Sequence, residues 1–285
     1  MDITYESTSC TAKLKQGVIH YHDIGHGPCI LFIHGSGPGV MGWANFQGNL
    51  EAFSKHFRCI IIDLPGYGKS DPVSGDPIGV CVEACIALLE HLDIKKTHII
   101  GNSLGGIVGS HIAATQHHLV SSFITIGGIG INIFSTFPSE GLNLLTEFVD
   151  NPTIENIKVW LESMVYDKNI ITEQLIASRF HQATDPKTLA TTKELYSRNA
   201  MDNITDFRQG ANATKTIEHL SSIQAPTLIT WGRDDRVSPM DSCLIPMRLI
   251  PNAELHIFPK CGHWAMIERK LEFEALVLSF LQVIR

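Results

Sequence analysis

A chain of 285 residues, 44% apolar and 18% charged, has ample material for a buried core and lies far from the composition of disordered chains. Its net charge of −7 and the lack of any Lys/Arg run exclude a broad basic face for nucleic acid or an anionic membrane. Seven cysteines without C-x-x-C spacing exclude a disulfide framework and point to free thiols in a reducing compartment.

The opening MDITYESTSC is acidic and has no long apolar stretch, and no apolar run in the chain reaches the length of a membrane span. A cytoplasmic protein is expected. His20, His22 and His26 cluster, but no Cys or carboxylate joins them at ligand spacing, so they read as strand and turn histidines. Neither a metal nor a cofactor is expected. Short β-branched runs then recur, each followed by a turn and a helical stretch: CILFIHG at 29–35, RCIIIDLPG at 58–66, THIIGNS at 97–103 and VSSFITIGG at 120–128. This alternation predicts a parallel sheet covered by helices, with VCVEACIALLEHL at 80–92 and IVGSHIAATQHHL at 107–119 packed on its faces.

From about residue 129 to about 220 the pattern is helical, punctuated by turn signals such as DNPT at 150–153 and ATDP at 183–186. Strand-like runs return with APTLITWG at 225–232 and AELHIFPK at 253–260, before an amphipathic helix over 268–283. The expected organisation is one α/β core from 1–128 and 221–285, interrupted by a helical lid over 129–220. Ligands of open α/β sheets bind at the carboxyl ends of the strands, where such a lid would sit.

GNSLGG at 101–106 follows the run THII and opens a helix at Leu104, the strand–turn–helix setting of a G-x-S-x-G nucleophile elbow. Ser103 is therefore the candidate nucleophile. A serine hydroxyl needs a base oriented by a third group, and the required order is Ser, then acid, then His. Asp235 in WGRDDRVSP and His263 in CGHW follow in that order, each just past a strand-like run. Asp234, adjacent to the acid, reads as an exposed loop charge. HGSGPG at 34–39 stands where the second oxyanion donor is expected, so backbone N–H groups near Ser36 and Gly37, together with that of Leu104, would hold an oxyanion.

The motifs HGSGPGVMGWANF at 34–46, DLPGYGKSD at 63–71, GNSLGG, TEQLIASRF at 172–180, WGRDDRVSPMD at 231–241 and CGHWAMIE at 261–268 span nearly the whole chain. With them the sequence resembles the meta-cleavage-product hydrolases, which hydrolyse a carbon–carbon bond in dienoates formed by ring-opening dioxygenases. The resemblance implies an α/β-hydrolase fold, a mostly parallel central sheet flanked by helices with a helical lid insertion. It implies that Asn45 and Asn102 contact the dienoate, that Arg179 binds its carboxylate, that Trp264 lines the site, and that the enzyme self-associates into a homo-oligomer. W-G-x-x-D in this family places the acid at Asp235. Ser36 stands where some relatives carry glycine, and Arg269 where relatives often carry histidine. The apolar residues of the segments 128–141 and 164–169 are expected either to shape the pocket for the departing acyl group or to form the core of the lid. A carboxylesterase or thioesterase using the same triad is the alternative reading.

Overall fold

All six apolar runs form strands in the computed structural model, which describes residues 3–15, 17–209 and 212–284. They are β3 (Cys29–Ile33), β4 (Arg58–Ile62), β5 (Thr97–Asn102), β6 (Val120–Ile126), β7 (Thr227–Gly232) and β8 (Ala253–Phe258), all paired in parallel. Two further strands, β1 (Ser9–Leu14) and β2 (Gly17–Ile24), add an antiparallel edge, giving the order β1-β2-β4-β3-β5-β6-β7-β8. Hydrophobic patterning does not reveal this pair, because the polar residues His20 and His22 of β2 are buried by hydrogen bonds and by ring contacts with Tyr5 and Trp43. His20 bridges Asp63 and Ser9 at 2.7 Å each, and His22 meets Thr8 at 2.8 Å.

The near-continuous apolar strands follow from burial of the sheet on both faces. Leu31 and Ile33 of β3 join Leu88, Val108 and Ile112 on one side, whereas Ile30 and Phe32 join Phe46, Phe53 and Phe273 on the other. The helix Pro77–His91 begins ahead of its predicted start, because Asp76 accepts the Gly79 N–H at 2.6 Å and Pro77 occupies the first turn. The helix Leu104–Thr115 stops short of 119, where the Leu119 carbonyl instead accepts the Thr97 N–H and leads the chain into β6. Near the C-terminus a short helix, Ala265–Glu268, precedes the long one, Lys270–Val283.

Within 129–220 the described residues contain helices and no strand: Glu140–Asp150, Ile154–Ser163, Glu173–Ala183, Pro186–Tyr196, Arg198–Gln209 and Asn212–Ser221. Ser139, Thr153, Thr172 and Asp185 cap the first four through side-chain oxygens that accept N–H groups of the first turn. The last helix joins the layer over the sheet, since His219 bonds Ser110 of Leu104–Thr115 at 3.1 Å. Among the described residues no helix is long and apolar enough to cross a membrane.

Candidate active site

The loops after β3, β5, β7 and β8 converge on one carboxyl edge, beside the point where the chain leaves β3 for β4 on one side and later takes up β5 on the other. At the end of β5, Ser103 adopts φ 52° and ψ −117°, a strained conformation for a residue with a side chain, and its N–H donates to Ile126 O at 2.9 Å. This turn requires the helix to enter almost in contact with β3. A Cβ on Gly105 would lie 2.0 Å from the Ile33 carbonyl oxygen, which no side-chain motion relieves. Gly105→Ala should therefore destabilise the protein by about 3 kcal/mol, read from urea unfolding followed by circular dichroism.

Asp235 and His263 meet through a 2.7 Å contact between Oδ2 and Nδ1, with both side chains buried. The other carboxylate oxygen accepts the N–H groups of Val237 and Ser238, each at 2.8 Å. A carboxylate is acceptor-only, so Nδ1 of His263 carries the proton and Nε2 is left as the basic nitrogen. The His263 backbone is held by donation to Met164 O at 2.7 Å. Gly127, at φ 59°, makes room for the pair: a Cβ there would lie 3.0 Å from Nδ1 and 3.3 Å from Oδ2. Asp234 corrects its reading as an exposed charge. It is half-buried, its N–H donates to Cys261 O at 2.9 Å, and its carboxylate faces Arg233 and the Cys261 N–H at 3.4 Å each.

One cavity of about 40 Å³ is lined by Ser36, Gly37, Asn45, Asn102, Ser103, Arg179, His263 and Trp264, together with side chains of the 129–220 segment. Leu104 opens the helix behind Ser103, where a first-turn N–H has no intrahelical acceptor. Both asparagines are partly committed to the scaffold: Asn45 Oδ1 accepts the Gly35 N–H at 3.1 Å, and Asn102 Nδ2 donates to Ile126 O at 3.1 Å. Their remaining amide groups are available to a ligand. Arg179, buried, donates from Nη1 to Gly39 O at 2.9 Å and lies 5.7 Å from the Trp264 ring. No carboxylate pairs with it among the described residues, and burial takes its pKa down to about 10, so it is still cationic at neutral pH.

The acyl-side expectation changes. The cavity is lined by Leu142, Leu145, Trp160, Met164 and Val237, whereas the segment 128–141 contributes no lining residue and exposes Phe134 almost fully. That segment is held outward because Asp241 accepts the N–H groups of Ile133, Phe134 and Ser135. Only Met164 of the segment 164–169 reaches the cavity.

Residues 28–270 match the family model described as the alpha/beta hydrolase fold. A 2-hydroxy-6-oxononadienedioate/2-hydroxy-6-oxononatrienedioate hydrolase of Pseudomonas putida is 36% identical over 99% of this chain and 99% of its own, and its counterpart in Burkholderia vietnamiensis matches equally. A mutant of the meta-cleavage product hydrolase from Pseudomonas fluorescens IP01, solved with acetates, superposes with a TM-score of 0.88 at 29% identity, covering 98% of this chain and 100% of that one. The chain belongs to the meta-cleavage-product hydrolases of the α/β-hydrolase family.

Several residues that shape the site of this meta-cleavage-product hydrolase, three of them inside the quoted motifs, receive no role from the motif reading. His34 donates from Nδ1 to Gly35 O and accepts the Leu64 N–H on Nε2 at 2.9 Å, bracing the loop 34–39 against the end of β4. Burial lowers its pKa and keeps it neutral. Trp231 donates its indole N–H to Ser238 O at 2.7 Å and closes the loop that carries Asp235. Glu268 accepts the N–H groups of Gly262 at 2.8 Å and Tyr166 at 2.7 Å, tying the histidine loop to the segment after Ile154–Ser163. Tyr196, at the end of Pro186–Tyr196, lines the cavity and hydrogen-bonds the Ser36 hydroxyl. A lone tyrosine in a helical segment offers no sequence signal for such a contact.

Proposed function

We propose that this protein hydrolyses the carbon–carbon bond of 2-hydroxy-6-oxohexa-2,4-dienoate-type ring-fission products, with Ser103, His263 and Asp235 as its catalytic triad and 129–220 as a lid over them. The observation that carries this reading beyond a general esterase is Arg179, a buried cation beside Ser103 and His263 that has no carboxylate partner among the described residues. A net-negative protein that takes an acidic substrate needs such a local cation, and guanidinium offers planar bidentate donors for a carboxylate. Asn45, Asn102 and Trp264 complete the dienoate side.

In the first stage the 2-hydroxyl proton leaves and C5 is protonated, giving a 2,6-diketone with the double bond between C3 and C4. In this reading Nε2 of His263 moves that proton. Attack on C6, by Ser103 or by a water it activates, then places negative charge on the C6 oxygen, facing backbone N–H groups near Ser36 and Gly37 and that of Leu104. Collapse breaks the C5–C6 bond, and its electron pair is delocalised into the 2-keto group. Protonation yields 2-hydroxypenta-2,4-dienoate, and the acyl fragment departs as a carboxylic acid after one water is consumed.

A cavity of about 40 Å³ holds a few waters, whereas a ligand site usually offers about 300 Å³ or more, so the lid side chains must draw back to admit a dienoate. A panel of ring-fission products with alkyl and aryl tails, followed by loss of dienolate absorbance beside p-nitrophenyl esters, tests the reading. Dienoate kcat/KM should exceed that for the esters by roughly one to two orders of magnitude, as a matched carboxylate contact implies. Preference for the esters would return the chain to the esterase alternative. A cytoplasmic, self-associating enzyme belongs to the same proposal, and light scattering on the purified protein reads its association.

A further inference from the structure

We propose that Tyr196 is a positioning residue that turns the Ser36 hydroxyl onto the reacting oxygen, so that the oxyanion site is complete only when the lid is seated. This inference rests on the reading of Ser103 as nucleophile and Ser36 as part of the oxyanion loop. Ser36 is buried, and two tyrosines grip it: Tyr67 donates to its carbonyl oxygen at 3.2 Å, and Tyr196 meets its Oγ. Tyr67 belongs to the core loop after β4, so it fixes the Ser36 backbone whatever the lid does. Tyr196 ends a helix of the 129–220 segment, so its bond exists only with that helix in place.

The direction of that bond follows from acidity. Between a phenol and an aliphatic alcohol the phenol is the better donor and the poorer acceptor, because its oxygen lone pair is delocalised into the ring. Tyr196 therefore donates and Ser36 accepts, which leaves the Ser36 proton free to point into the cavity that both residues line with Ser103. A hydroxyl that accepts a bond is polarised into a stronger donor. The helix is seated by a further contact on the core, Thr191 packing on Gly66, and a second helix of the segment, Ile154–Ser163, meets the oxyanion loop through Trp160 on Gly37. Lid seating and oxyanion stabilisation thus share one hydrogen bond.

The test is a double-mutant cycle of Tyr196→Phe and Ser36→Ala, measured on a dienoate and on p-nitrophenyl acetate, with thermal melts to establish folding. Loss of a bond that acts through Ser36 should lower kcat about tenfold in Tyr196→Phe with little change in KM, and in the Ser36→Ala background the same change should cost less than about twofold. The conservative Phe keeps the ring packing, so a purely structural role would move the melting temperature or KM and leave the kcat coupling absent. Both substrates develop an oxyanion. Coupling on the ester with no turnover of the dienoate would leave the Tyr196 role standing while overturning the substrate reading. Additive losses, or an unchanged kcat in Tyr196→Phe on both substrates, would overturn the role itself.

Discussion

Asp235→Asn is expected to lower turnover on the order of ten-thousandfold in a protein that stays folded. Oδ1 of Asp235 is held by the N–H groups of Val237 and Ser238, so an asparagine would keep its carbonyl oxygen on those two donors. Its amide NH₂ would then face Nδ1 of His263, where the carboxylate now accepts at 2.7 Å. Two donors cannot share that contact, so the imidazole shifts its proton to Nε2 and loses the basic nitrogen that the nucleophile needs. Asp234→Asn is the paired control. Its carboxylate faces only Arg233 and a 3.4 Å backbone contact, and its amide would serve both loops nearly as well, so turnover should fall by less than about threefold. Steady-state assays on both variants, with circular dichroism, decide the matter. Equal losses at the two positions would assign the loss to loop geometry instead of the imidazole.

The contrast between these neighbours shows what a sequence can carry. The proposed nucleophile, acid and base can be picked out because each sits just past an apolar run, at a spacing that backbone geometry imposes. Gly105 must lack a side chain, and the order Ser103, Asp235, His263 follows the order in which β5, β7 and β8 enter the sheet. The antiparallel edge is not legible, since His20 and His22 are polar and are buried by side chains that only the fold assembles: Thr8, Ser9 and Asp63 by hydrogen bonds, Tyr5 and Trp43 by ring contacts. Nor are the contacts made by the helical segment 129–220. The faces of its helices are set by which apolar residues cover the cavity, and Leu142, Leu145 and Trp160 read as ordinary helix core until the helices are placed. Segment 128–141 illustrates the converse: it contains many apolar residues, yet three backbone N–H groups gathered on Asp241 hold Ile133 and Phe134 away from the site.

Arg179→Ala should lower kcat/KM for a dienoate by roughly one to two orders of magnitude, the equivalent of the about 1.5–3 kcal/mol carried by a charged hydrogen bond. Arg179 now spends one N–H on the Gly39 carbonyl, and its guanidinium lies near Trp264, so the fork is oriented with its other donors unbonded among the described residues and open to a carboxylate. The dienoate carboxylate is present in the substrate, in the diketone and at the transition state for cleavage. Most of the loss should therefore fall on KM, with a share on kcat if ketonisation depends on how the carboxylate is held. A neutral p-nitrophenyl ester makes no use of the cation and should lose less than about threefold. Removing the side chain also strips the Gly39 carbonyl of its donor, a change common to both substrates that a thermal melt reads separately. A selective loss on the dienoate, with the ester rate and melting temperature nearly unchanged, ties the buried cation to the substrate carboxylate. Equal losses on the two substrates would instead make Arg179 a strut between the helix Glu173–Ala183 and the loop 34–39, and the preference for dienoates would have to arise elsewhere in the cavity.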